Sequence, residues 1–592
     1  MLPRLSARLH ARRRLLLAFL AVCVPVSAML VMIDKPLIVA ASSTPTLLGE
    51  QSWYTLDRHQ LWDKADLAVN VASGDLILHE KDLGIPGIGA NNLILERYYN
   101  SLSNGAGGGA DFGSDWVMTA GGDVKLTIGT SITYQGPSSF QQVFNASGSN
   151  WVEPSPSGLD ATLAGPSGGN YTLTYHNNGQ LLTFNSTGQL LSNADRNGNA
   201  ITYAYNGNGT LSQITDATSR TVTFAYNGGG NVQTMTDNSL GRAYTYTING
   251  SHNLTGYADP VTPTTTAVLG YDTTGKHELV DITDPTGKGH THLIYDTNHR
   301  VKELDFTKDS GGGIYQRFYA YNSGAGTCTV SPASAGNTVV TDENGHNTTY
   351  CWDSSGRVVQ TIDALGDKTT TVWNSDDKPT SIQDPNGFTT NYAYTDSFAP
   401  NENLTSVTQP AEPTQSGAKT TYTYGASNNH YAPTMMVKPD GTLENYTYDA
   451  NGNPATMVNG SQKTVQSISA GNGELLFTLN AKGVVAPGCY DVSTPMTECL
   501  SYDTHGALQQ KVTPTTTDHF TNDAASRVST HTDGNGNVAT YTYDLDDRVK
   551  QIAYGSSNTC PTPSVSCTIL QYDADGNLQT LLDQTGTTTY TQ

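Results

Sequence analysis

Charge is scarce in this chain: Asp, Glu, Lys and Arg together make up 14% of its 592 residues. The basic residues are the scarcer kind, 31 against 53 acids, which leaves a net charge of −22. A surface of that sign repels phosphate backbones and excludes nucleic acid as a partner, while acids spread over turns keep a long sheet soluble. Helix-favouring stretches are almost absent after the first sixty residues. Phenylalanine is sparse at 12, whereas tyrosine reaches 32 and glycine 59. Threonine and tyrosine suit a half-buried pleated surface, and Gly, Asn and Asp supply turns. The composition is that of an all-β chain, and its length calls for several domains or one repetitive architecture.

Catalytic signatures are missing too. There is no phosphate loop and no Cys/His pair in a nucleophile's context; Gly105–Gly109 is followed by neither Lys-Ser nor Lys-Thr. Asp573-x-Asp575-x-Asn577 has Leu578 and Gln584 where a calcium loop needs a glycine and an acid, and Asp533-x-Asn535-x-Asn537 fails at Val538. His290 and His292 share one strand face without a third ligand at recognisable spacing. Asp284-Pro285-Thr286-Gly287 and Asp384-Pro385-Asn386-Gly387 are ordinary turn tetrads. The expectation is therefore no catalytic residue, no metal and no cofactor: not an enzyme.

The N-terminus sets the compartment. Arg4, Arg8, Arg12, Arg13 and Arg14 precede Leu15–Ile33, a run of 19 residues without a charge. A basic segment before an apolar run is an export signal. Two readings stay open: a signal peptide cut after Ala28 or Ala41, or an uncleaved transmembrane anchor, which Pro25 and Ser27 disfavour. Either places the remainder outside the cytoplasm, secreted or at the cell surface. Of the seven cysteines, six fall into near pairs, Cys328 with Cys351, Cys489 with Cys499 and Cys560 with Cys567. In an exported chain such pairs read as short-range disulfides.

What the chain has in abundance is repetition. Tyr448-Asp449-Ala450-Asn451-Gly452-Asn453, Tyr502-Asp503-Thr504-His505-Gly506-Ala507 and Tyr572-Asp573-Ala574-Asp575-Gly576-Asn577 share one pattern: an aromatic, Asp or Asn, two variable residues, then Gly. Tyr205, Tyr226, Tyr246, Tyr271 and Tyr295 head units spaced 21, 20, 25 and 24 residues apart; Trp352, Trp373 and Tyr394 follow at 21 and 21, then Tyr424, Tyr448, Tyr502, Phe520, Tyr543 and Tyr572. Aromatic pairs at i, i+2, such as Tyr203/Tyr205 and Tyr541/Tyr543, put both rings on one strand face. The Asp-x-x-Gly then turns the chain and a second strand returns, so each unit adds two antiparallel strands. With strands about 4.8 Å apart, roughly sixteen units make a sheet on the order of 150 Å across. Inherent strand twist predicts that such a ribbon curls into a spiral, hollow wall.

These motifs resemble the YD repeats of the RHS family: bacterial RHS proteins, the C component of insecticidal toxin complexes, and the teneurins. Gly74-Asp75-Leu76, Asp82-Leu83-Gly84-Ile85-Pro86-Gly87, Arg97-Tyr98-Tyr99-Asn100-Ser101 and Phe112-Gly113-Ser114-Asp115-Trp116 look like the segment preceding the repeats in bacterial members, with Asp115 where the family usually has a glycine. The resemblance covers roughly residues 66–592. It implies a strip wound into a hollow shell that, in bacterial members, holds a toxic C-terminal domain.

The organisation expected is a signal peptide or anchor over 1–41, a linker over 42–65, a β-rich N-terminal domain over 66–170, YD repeats over 171–460, a degenerate repeat or insertion over 461–500, and YD repeats over 501–592. Family shells are longer and end in a self-cleaving core, whereas this chain stops at Thr587–Gln592, which reads as the rising strand of a further repeat. The expected function is an exported shell segment, a structural encapsulation and delivery scaffold of a polymorphic toxin system. Its partner would be a cargo or remaining shell segment encoded elsewhere. The alternative is a cell-surface adhesion or carbohydrate-binding protein, whose exposed tyrosines would stack on sugar rings.

Overall fold

The computed structural model describes residues 47–590 apart from 104–110, 149, 154–158, 262–266, 308–312, 324–326, 331–333, 412–416, 462–463, 480–497, 556–559 and 561–566. The expected leader, Leu15–Ile33 included, lies outside the described residues. Among the described residues, no helix is long and apolar enough to cross a membrane.

Strands dominate, in three antiparallel meanders. Five strands run from Leu56–Trp62 to Trp116–Met118, four from Lys125–Ile128 to Asn150–Val152, and 37 from Ala161–Ser167 to Gly586–Thr589. In every sheet the strand order follows the chain order, which makes each connection a hairpin. The strand Leu56–Trp62 falls in the stretch read as a linker, and the long sheet starts at Ala161, inside the span read as the N-terminal domain. Thr464–Ser469, Leu475–Leu479 and Glu498–Tyr502 continue the meander through the stretch read as degenerate.

One unit shows why the sequence folds this way. In Leu443–Tyr448 and Pro454–Val458 the ladder slips by one residue between Thr447 and Tyr448, a bulge placed at the heading aromatic. The Asp449 N–H donates to the Asn453 carbonyl at 2.8 Å, and the Asp449 carboxylate accepts the Asn451 and Asn453 N–H groups at 2.9 Å each. Gly452 takes φ +86°, a left-handed conformation that glycine adopts without steric cost. Ser219, His252, His299, Ser526 and Asp547 occupy the same turn position at φ of +60° to +71°.

The heading aromatic is tied to the strip. The Tyr205 hydroxyl donates to the Leu190 carbonyl, Tyr226 to Leu211, Tyr448 to Pro433 and Tyr543 to Val528, all at 2.7 Å. Tyr295, Tyr502 and Tyr572 do the same toward Leu279, Leu475 and Val549, and the Trp373 indole N–H toward Val358. The Trp352 indole instead reaches the Thr338 hydroxyl at 3.2 Å. Tyr271 stands at its bulge and accepts the Trp116 indole N–H at 2.9 Å, and Tyr394 precedes a longer loop to Ser406. Tyr246 is a correction. Because the turn begins at Asn249, the bulge position falls on Ile248, and Tyr246 lies two residues earlier, buried.

Alternation separates the two faces. Ile201, Tyr203, Ile214, Val222, Met235, Tyr244, Leu269, Ile282, Leu293 and Leu304 follow one another across the register and are all buried. Their cover is the five-stranded sheet: Leu67, Val69, Leu76, Leu78, Leu83, Leu95 and Trp116 join them in a single apolar core. This burial is the dominant stabilising term for the first half of the strip.

Candidate functional site

The segments that precede the repeats meet around one buried cation. Arg97 is fully buried and forks onto Asp82, with Nε to Oδ2 at 2.6 Å and Nη2 to Oδ1 at 2.9 Å. Its guanidinium lies over Trp116, Tyr246 and Tyr257 at 5.2, 5.0 and 4.4 Å, and the Tyr246 hydroxyl donates to Asp82 at 3.1 Å. Glu80 sits 3.8 Å from Arg97, and burial pushes its carboxyl up to about 8 against the pull of that cation. Burial likewise pushes Asp75 up to about 7, although the Leu102 N–H and the Ser101 hydroxyl bond to it. The cluster joins three N-terminal strands to strands of the long sheet, and its chemistry is that of a fastener.

A second set of contacts shows how the strip is wound. Lys378 reaches Asp160 at 2.9 Å, His176 reaches Glu402 at 3.0 Å, and Asn453 reaches Asn197 at 2.7 Å. Further on, Arg220 reaches Ser526 at 2.6 Å, Arg242 reaches Asp547 at 2.8 Å, and the Thr286 N–H reaches Asp575 at 3.1 Å. The sequence separation grows from 218 residues at Lys378 to 306 at Arg220 and is 289 at Thr286. Apart from Asp160, which precedes the first strand, the earlier partner sits in a turn that follows a unit's second strand or, for Arg242, on the first residue after that turn. The later partner always sits in a turn that follows the heading position. One rim of an earlier coil therefore stacks on the opposite rim of a later coil, the signature of a spiral.

The other rim of the first coil is closed by the N-terminal sheets. The Leu126 N–H donates to Gly188, Val232 to Asp111, Ser114 to His252 and Val301 to Gly74, at 2.7–3.0 Å. Past Val358 the face that was apolar changes character. Register carries it through Thr361, Ile382, Tyr392, Val407, Tyr422, Met436, Glu444, Tyr446 and Met457, which are partly exposed.

The other residues singled out in the sequence fall into local roles. Cys328–Cys351 and Cys560–Cys567 are disulfides; Cys499 is also disulfide-bonded, and Cys489 lies outside the described residues. His290 is bonded to Thr283 at 3.0 Å and His292 to Asp281 at 2.8 Å, both exposed. Asp533 folds onto Asn535 and Asn537 within its own turn. Asp575, by contrast, belongs to the seam. Sequence reasoning missed Arg97, Asp82, Arg220 and Arg242 as fasteners, although Arg97 and Asp82 lie in the segments that carried the family resemblance.

Fold and contacts define a protein built of one coiled β-strip with a fastened N-terminal cover. Residues 205–243 match the family model described as RHS Repeat, and residues 67–144 match a domain of unknown function (DUF6531). The likeness to RHS and YD-repeat proteins read from the sequence is supported by the RHS Repeat match. No curated protein matches it. Among solved structures it is similar to the crystal structure of TcdB2-TccC3-TEV, with 11% identity over 85% of this chain and 28% of that one, TM-score 0.37. It is also similar to the Photorhabdus luminescens Tc holotoxin pore carrying TccC3-D651A, with 12% identity over 90% of this chain and 34% of that one, TM-score 0.32. The chain spans about a third of the length of these structures.

Proposed function

We propose that this chain is a scaffold segment of a toxin-complex RHS shell, exported, and acting by enclosure and delivery rather than by catalysis. The observation that carries the reading is the rim-on-rim spiral whose continuous face is filled by the N-terminal sheet in the first coil and left partly open in the second. Tyrosine hydroxyls, threonines and scattered charges on that open face suit contact with a polypeptide more than dry core packing. The partner in this reading is a cargo polypeptide, with or without a further shell segment.

The test starts with the DNA downstream of the Gln592 codon. It should encode, in frame or in an adjoining gene, a non-repetitive end, with or without further YD repeats before it. Co-expressed with this chain, that product should co-purify, and its non-repetitive end should resist added protease. Absence of such a gene, or a non-repetitive end digested as fast as when expressed alone, would sink the enclosure reading.

A further inference from the structure

Where the second coil begins to stack on the first, a buried lysine meets a largely buried aspartate. Lys378 is 2% exposed, and its ammonium lies 2.9 Å from the Asp160 carboxylate and 3.3 Å from the Glu402 backbone carbonyl. The Glu402 carboxylate accepts from His176 Nδ1 at 3.0 Å, and the His176 ring is stacked on Tyr431 at 4.2 Å, nearly parallel. Burial pushes the Asp160 carboxyl up, and Glu402 adds to that shift against the pull of Lys378. Three surroundings thus converge on one amine and one carboxyl: low exposure, fixed contact distance, and a second carboxylate that disfavours charge on the first.

We propose that Lys378 and Asp160 condense to an isopeptide bond that rivets the start of the first coil to the start of the second. The ammonium of Lys378 first passes a proton to the touching Asp160 carboxylate, giving a neutral amine and a neutral acid. The lone pair on Nζ attacks Cγ of Asp160 and forms the C–N bond. The C–O bond to the acid's hydroxyl then breaks, and that hydroxyl leaves with the second amine proton as water. The product is a secondary amide, with one water lost and no change of oxidation state, so no co-reactant is needed. A hydrated ion pair would not react in this way, because both groups would stay charged; burial makes the neutral pair accessible. Glu402 is a positioning residue, acting through its field on Asp160. This inference is independent of what the shell encloses.

The experiment is a tryptic digest of the purified, folded full chain, followed by mass spectrometry. Cleavage at the flanking basic residues gives segments 126–196 and 369–419, each with one of the two partners. The expected result is a branched species at the summed mass of the two less one water, absent from Asp160→Ala and Lys378→Met. Glu402→Gln should slow its accumulation after refolding, and Glu402→Asp should restore much of the rate, which a merely structural role would not do. If the folded wild-type protein yields only the two separate segments, the contact is an ion pair and the proposal fails. That digest reads the covalent bond directly, so unstable variants do not blunt it.

Discussion

Arg97 places a full positive charge where no water reaches it, held by the two hydrogen bonds it donates to Asp82 and by three aromatic faces. Removing one member of such a pair leaves the other charge buried without compensation, which costs about 3–5 kcal/mol, while replacing both by apolar residues is often neutral. Arg97→Met should accordingly lower the melting temperature sharply, and Arg97→Met combined with Asp82→Leu should recover much of the loss. Calorimetry on the two variants checks this; a double variant no better than the single would mean that the rings, not the charge pair, hold the site. The aromatic that stands at the bulge of most units was legible in the sequence, because its chemistry repeats at a nearly fixed interval; where the bulge falls on Ile248, Ser469 or Asn522 it was not. The Arg97 cluster was not, because Tyr246 lies 164 residues from Asp82, and nothing local in either segment names the other.

At the scale of the strand and turn, legibility was high, since most hairpins are closed within a few residues of themselves. The Asp carboxylate, the bulge and the left-handed residue all act within one turn, so the unit pattern was enough to place most strands. Tyr246 misled because an extra pair of residues before Asn249 moved the bulge to Ile248. What local pattern does not encode is which turns carry a second contact. Gly188 and Gly198 have nearly the same backbone, φ +89° and +86°. A Cβ at Gly198 would meet nothing within 4 Å, whereas one at Gly188 would stand 1.9 Å from the Leu126 carbonyl oxygen. Gly198→Ala should cost only the left-handed backbone, about 1–2 kcal/mol. Gly188→Ala should cost more and should also speed hydrogen exchange over Lys125–Gln135, because the Leu126 N–H bonds to the Gly188 carbonyl. Equal melting of the two variants would show that the rim closure contributes little.

At the scale of the whole strip, the spiral was expected from strand twist, but the pairing of its rims was not legible, since it depends on curvature summed over 19 or more strands. Several carboxylates collect along that seam and the turns beside it. Burial pushes Asp546 up to about 6, with Asp259 adding to the shift against Lys64 and Arg548, and burial with the neighbouring Asp284 pushes Asp575 up to about 6. Asp377 is pushed up to about 7, chiefly by burial, against the pull of Arg357. A carboxyl whose folded value lies above its unfolded value, about 4, prefers the folded chain when protonated. Its contribution is therefore fullest in acid and is lost as pH rises from about 4 through its folded value. Asp57 has the opposite sign: although burial opposes it, hydrogen bonds from His59, Arg317 and Tyr319 hold it below the usual range, so its contribution is lost only in stronger acid. The melting temperature should thus peak in mild acid and fall between pH 5 and 8, and hydrogen exchange in the turns 544–548 and 573–577, corrected for its intrinsic pH dependence, should rise over the same interval. Asp546→Asn, which cannot ionise, should flatten part of that fall. Should the protein instead be most stable at pH 8 and lose stability steadily toward pH 5, the seam carboxylates would have to be ionised and fully paired, and the reading of the seam as an acid-favoured junction would be wrong.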